Sequence, residues 1–352
     1  MSLLWNRQER LVLQESVLFL EGEDSPLRFP AQEILSVACP TLGITYLRGK
    51  DFLLAEGGKA LRRPEGSALP CLSSRDLVLP AQEARPYPAP DANAVEGGLG
   101  GTFLRFSNKD YFACHQVEVT YRAREIPLAP VTPIPEGRLT RCRKLLNQEK
   151  QLRVTFIGDS ITEGYNATEY LQLPPFQPPY SGLVAREWEA QGVRFLFQNR
   201  GIAGTCCHQA MERREEWCQD APDLLVIAYG MNDLNDFAPA AFLQSLAAIQ
   251  EDCRQASPHT EYLVVIPMGG NPHWKYTPPE ASRLLQQTLL DFQKQAPCDT
   301  AVVDLYAFWN YMAQGKRFHD LTGNGVNHPN DYGHRIYAAA ILNALAPQTF
   351  PL

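Results

Sequence analysis

The chain has 352 residues, a formal net charge of −7 and 45% hydrophobic residues, with nine cysteines. That length accommodates two domains, each with its own buried core. The acidic balance, with no long block of Lys or Arg, excludes nucleic acid as the main partner, and no run approaches the roughly 18 apolar residues of a membrane span.

In chain order, Met1 to Arg10 lacks a basic segment followed by an apolar core, so it does not read as a signal peptide. Residues 1–126 carry short β-like runs broken by Gly, Pro, Ser and Asp. They fall at 11–19, 34–37, 43–47, 77–79, 101–106 and 117–122. Val117 to Arg122 alternates apolar and polar residues, as a half-buried strand does. Many short strands without a helix predict an all-β sandwich or jelly roll. Residues 127–136, from Pro127 to Glu136, are proline-rich and read as a semi-rigid linker.

From 137 to 352 the pattern alternates helix and strand, the signature of a parallel sheet covered by helices. Strands are predicted at 152–157, 194–198, 223–229, 261–266 and 300–303. Helices are predicted near 138–149, 182–190, 206–218, 239–255, 279–295 and 332–346. Five parallel strands between helices make a flavodoxin-like three-layer domain. The stretch 165–180, with Pro174, Pro175, Pro178 and Pro179, breaks this regularity. A loop of that length is more often functional than idle, and it reads as one wall of a substrate site. The nine cysteines include no Cys-x-x-Cys. That odd, scattered set fits reduced thiols in a cytoplasmic protein better than a disulfide frame or a zinc site. Cys206 and Cys207 read as small packing residues at a helix start, with a place at the border of the pocket, just after Gly204, as the alternative.

The chemistry-bearing segments sit at the ends of the predicted strands. Gly158-Asp159-Ser160-Ile161-Thr162 follows the apolar run Leu152 to Ile157, so Ser160 lies on a turn at a strand's carboxyl end, where open α/β sheets bind ligands. Asn199-Arg200-Gly201-Ile202-Ala203-Gly204 follows a second strand, and Tyr229-Gly230-Met231-Asn232-Asp233 a third. Gly325-Val326-Asn327-His328-Pro329 precedes the last helix. Acyl transfer needs this set: a nucleophile, a base, and donors where negative charge develops on a carbonyl oxygen. Gly204 also fits a plain turn, and Asn232 also fits a helix N-cap. Asp159 reads as a structural turn residue.

In that order the four segments resemble the sequence blocks of the SGNH (GDSL-type) hydrolases, over residues 137–347. The resemblance implies Ser160 as nucleophile and His328 as base, with the Ser160 and Gly204 N–H groups and the Asn232 amide as oxyanion hole. It is also similar to carbohydrate esterases in which a β-sandwich precedes the catalytic domain. The family's usual aspartate, three residues before the histidine, is Gly325 here, and the nearest upstream carboxylate is Asp320. A Ser-His dyad oriented by a main-chain carbonyl is therefore expected, with Asp320 as an alternative acid. Tyr165, Trp274 and Trp309 are candidate substrate contacts that fit a core role equally well.

The function that follows is a serine esterase releasing small acyl groups, acetyl above all, from a small-molecule or carbohydrate ester substrate. No metal or cofactor is expected, nor a membrane partner, while a homo-oligomeric state stays open. The alternatives are a lipase or thioesterase for longer acyl chains at the same site, or a non-catalytic carbohydrate-binding protein.

Overall fold

The computed structural model describes residues 3–352. Residues 1 and 2, at the start of the expected β region, lie outside the described residues. The second half of the chain builds one five-stranded sheet, and all its pairings are parallel. Its strands lie in the order Arg194–Asn199, Gln151–Gly158, Leu224–Ala228, Glu261–Val265, Thr300–Val303. The three central strands read as near-continuous apolar runs because helices cover both faces, leaving no solvent side to alternate with. Leu224–Ala228 and Glu261–Val265 are buried at every position.

Four long helices lie close to their predicted places: Tyr180–Ala190, Pro239–Ala256, Pro279–Gln295 and Asp331–Leu345. The predicted helix 206–218 is instead a 3-10 turn, Cys207–Arg213, followed by a short α-helix, Arg214–Gln219. A further helix, Leu305–Ala313, was not expected from the sequence. Its run Leu-Tyr-Ala-Phe-Trp is apolar nearly all round, and such a run carries no helical stripe to read. Among the described residues no helix is long and apolar enough to cross a membrane.

The first strand, Gln151–Gly158, pairs with Arg194–Asn199 on one side and Leu224–Ala228 on the other. The strand order therefore reverses at this strand, and a crevice opens at its carboxyl end.

The first third of the chain is antiparallel. Its largest sheet orders Trp5–Asn6, Leu11–Leu18, Gln116–Ala123, Ala31–Cys39 and Ile44–Thr45, and two three-stranded sheets stand beside it. A short helix not foreseen in the sequence, Tyr111–His115, precedes the strand Gln116–Ala123. Residues 125–135 form neither helix nor strand, yet Ile126 and Ile134 are buried. One continuous apolar cluster joins the two parts of the chain, with Trp5 edge-on to Phe308 at 6.4 Å.

The junction is also polar. The Lys316 side chain is fully buried, 2.7 Å from Glu15, and it donates to the Ser16 and Pro26 carbonyls, both at 2.9 Å. A buried ammonium is tolerable only with such partners.

A candidate serine hydrolase site

Ser160 begins the short helix Ser160–Glu163 immediately after the strand Gln151–Gly158. Asp159 caps it, with Oδ1 accepting from the Ile161 N–H at 2.9 Å. The turn is tight: a Cβ on Gly158 would lie 2.1 Å from Thr162 Oγ1 and 2.6 Å from the Ala228 carbonyl oxygen. Only glycine lets the helix start this close to the neighbouring strand. Asp159 therefore has the structural role expected of it. Burial pushes its carboxyl up to about 7, against the pull of the Ile161 hydrogen bond.

The structure brings Ser160 and His328 together across 168 residues of chain. Ser160 Oγ stands 2.8 Å from His328 Nε2, and both residues are 5% exposed. The other ring nitrogen, Nδ1, faces Asn166 Oδ1 at 2.9 Å. The orienting group is thus a side-chain amide and not the expected main-chain carbonyl. Asn166 Nδ2 donates to the Gly323 carbonyl at 3.2 Å, which turns Oδ1 toward the imidazole. Nδ1 then carries the proton, and Nε2 presents its lone pair to the serine hydroxyl. Burial, with a smaller contribution from His334, pulls the His328 imidazole down to about 3. It is neutral at neutral pH, the form a general base needs.

Asn166 lies in the long loop after Ser160, at φ 63, a left-handed conformation that asparagine tolerates better than most residues. Sequence reasoning missed it. An asparagine six residues past Ser160 carries no linear signal, and only the fold sets it beside a residue 162 positions away. Tyr165, next to it, stands edge-on to His328 with ring centroids 5.2 Å apart, so this candidate does border the pair.

Gly325 explains the missing acid. Its φ is +78, and a Cβ there would lie 2.7 Å from Phe112 Cζ and 2.8 Å from the Arg105 carbonyl oxygen. The β-rich region fills the space a carboxylate would need. Asp320 does not replace it, since its oxygens accept from the main-chain N–H groups of Leu18 at 2.7 Å and Arg317 at 2.8 Å. The loop's own organiser is Asn324, whose Oδ1 accepts from the N–H groups of Val326, Asn327 and His328.

Gly204 and Asn232 follow the two strands that flank Gln151–Gly158, at the same rim as Ser160. Asn232 Nδ2 donates to the Thr205 carbonyl at 3.0 Å, which ties the two segments together and leaves the second amide proton free to point elsewhere. The remaining aromatic candidates part company. Trp309 is 3% exposed and packs on Tyr337 in the core, so no substrate reaches it. Trp274 packs with Val95, Leu104 and Val326, behind the histidine loop.

A serine and a histidine in hydrogen-bond contact on the carboxyl rim of a parallel α/β sheet define a hydrolase of the serine class. The GDSL-like lipase/acylhydrolase family model matches residues 156–336, just over half of the chain, and the chain belongs to that family. Its class is accordingly ester hydrolase. No curated protein matches. Among solved structures, the chain is similar to a catalytic mutant of Axe2, an acetylxylan esterase from Geobacillus stearothermophilus. They share 19% identity over 57% of this chain and 97% of that one, with a TM-score of 0.47. It is also similar to LAE5, an alpha/beta hydrolase enzyme from the metagenome of Lake Arreo, Spain. There the identity is 18% over 55% of this chain and 94% of that one, with a TM-score of 0.44.

Proposed function

We propose that this protein is a serine esterase releasing small acyl groups, acetyl above all, from carbohydrate-like or polyol esters. The observation that carries the reading is the relay Ser160 Oγ to His328 Nε2 at 2.8 Å and His328 Nδ1 to Asn166 Oδ1 at 2.9 Å. Ser160 Oγ attacks the ester carbonyl carbon while Nε2 takes the hydroxyl proton. The oxyanion is held by the Ser160 and Gly204 N–H groups and the free proton of the Asn232 amide. The bond to the alcohol oxygen then breaks, and the imidazolium protonates that oxygen. Water attacks the acyl-enzyme with His328 again as base, freeing the acid and Ser160. Asn166 keeps the imidazole in one tautomer, but as a neutral amide it stabilises imidazolium less than a carboxylate does.

Two observations support a small acyl group and a sugar-like alcohol. The loop after the nucleophile is fastened: Thr168 is held by Asp331 through its N–H at 2.8 Å and its hydroxyl at 2.7 Å, and Gln177 Nε2 donates to the Asp331 carbonyl at 2.7 Å. A fastened wall suits a short acyl group better than a long flexible one. Tyr165 and Tyr170 stand with ring centroids 4.5 Å apart, and Tyr170 is 40% exposed. Such rings offer an apolar face to a sugar and a hydroxyl to its edge. Comparing p-nitrophenyl acetate with the octanoate tests the reading. Acetate should be favoured by at least about tenfold in kcat/KM, about 1.4 kcal/mol in transition-state binding. A preference that climbs with chain length makes the protein a lipase or thioesterase instead, and no turnover of any ester makes it a binder.

A further inference from the structure

Beside the Asn232 wall, three side chains of metal-binding type converge. Cys206 precedes the 3-10 turn Cys207–Arg213, His208 lies in that turn, and Asp233 lies in the turn Asn232–Asp236. One ligand atom from each lies within 4.8 Å of the others. All three line an open cavity of about 350 Å³ whose walls include Asn232, Phe237 and Phe242. The catalytic steps use none of them. The sequence concealed the group, since His208 and Asp233 lie 25 positions apart and no ligand-spacing pattern joins them.

The donor set is specific in chemistry. One sulfur, one imidazole and one carboxylate suit a borderline-soft ion such as Zn²⁺ and not a hard one such as Mg²⁺ or Ca²⁺. Bond lengths of zinc to these donors put tetrahedral ligand atoms roughly 3.3–3.6 Å apart. From within 4.8 Å, closure needs about an ångström of side-chain movement, which exposed His208 can make. The supports that orient such ligands are present. The Asp233 oxygens accept from the Cys207 N–H at 3.1 and 3.3 Å, and the Cys206 N–H is held by Gln209 Oε1 at 2.9 Å. Three protein donors leave a fourth position open to the cavity.

We propose that Cys206, His208 and Asp233 form a binding site for a thiophilic divalent cation of the zinc class. On binding, the Cys206 thiol releases its proton to solvent and coordinates as thiolate. The ion ties together two segments that the Asn232–Thr205 hydrogen bond already links, because Asp233 follows Asn232 and Cys206 follows Thr205.

Co²⁺ titration of the chelator-treated, reduced, full-length protein tests this. One equivalent should saturate a thiolate-to-cobalt charge-transfer band in the near ultraviolet, and Zn²⁺ should displace it. Cys206→Ser should abolish the band and His208→Ala should weaken Co²⁺ binding by about tenfold or more, the usual scale for a lost ligand or its support. Cys298→Ser, at an exposed thiol, should leave the band unchanged. Metal-free ester hydrolysis by Cys206→Ser, at the wild-type rate, shows that this variant is folded. Bound Zn²⁺ should also slow amide exchange in 204–210 and 231–237. Absence of a saturable band, or a band that survives Cys206→Ser, overturns the site; unchanged exchange overturns the tie between the segments.

Discussion

The two halves of the Ser160–His328 pair are built in opposite ways. The nucleophile's half is local: strand, glycine, capping aspartate and serine occupy consecutive positions, and Asp159 holds the turn through the next-but-one N–H. Gly204 and Asn232 join it from the two adjacent strands of the same sheet. The histidine's half is assembled from a distance. Its orienting amide comes from the loop after Ser160, and its loop is clasped by the β-rich region. Gln116 Nε2 donates to the His319 carbonyl at 2.6 Å and the Thr322 carbonyl at 2.8 Å. Its Oε1 accepts from Asn330 Nδ2 at 3.0 Å, and Asn330 caps the helix Asp331–Leu345. His328 therefore depends on the first third of the chain for its placement, whereas Ser160 does not.

The sharpest break of this contrast is Ser160→Ala. It should lower kcat for p-nitrophenyl acetate by about 10⁴-fold or more with the melting temperature little changed. Full activity in the purified variant would remove Ser160 from the chemistry. Next comes the base. Asn166→Ala should cost about 10³-fold in kcat, because the imidazole loses the partner that selects its tautomer; an aspartate in this role is worth about 10⁴. A loss confined to KM would make Asn166 a substrate contact.

Asn232→Ala should lower kcat by about 10²–10³, the usual effect of removing one oxyanion donor, and a KM effect alone would reassign it to binding. Gln116→Ala then asks whether the β-rich region acts on the base. About a tenfold fall in kcat with KM nearly unchanged is expected, since small misplacements of a reacting group are costly. Faster amide exchange in residues 319–330 should accompany it. An unaltered kcat would show that the histidine loop holds its shape alone.

The smallest expected effect is one of pH. Because burial lowers the folded-state value of His328 to about 3, the base stays neutral far below the ordinary histidine value of about 6.5. Between about pH 7 and 5.5, kcat/KM should change by less than about twofold. An acid limb near 6.5 would mean a solvated imidazole. The stability sign is the reverse of a salt-bridged histidine's. With His319 and His334 also lowered to about 4 by burial, these groups contribute stability above about 6.5, and it is lost as pH falls toward their folded values.

What the sequence by itself determined is the layered α/β architecture, all five parallel strands and the rim positions of Ser160, Gly204, Asn232 and His328. Those features are written locally, as apolar runs long enough to be strands and as glycine-punctuated turns at their ends. The β-rich character of the first third was legible for the same reason, with a half-buried strand marked by the alternation in Val117 to Arg122. Helix Leu305–Ala313 escaped because its sequence is apolar at nearly every position, on the buried face and off it alike, and so shows no periodicity to read. Trp309, within it, looked like a substrate contact and is core. Only the tertiary structure decided which group faces His328 Nδ1, why position 325 has no room for a carboxylate, and what occupies Asp320. Each of those answers includes a contact between residues more than a hundred positions apart. Two of them depend on how the β-rich region packs against the α/β half and the third on how the loop after Ser160 folds back on the histidine loop, and no short stretch of sequence encodes that packing.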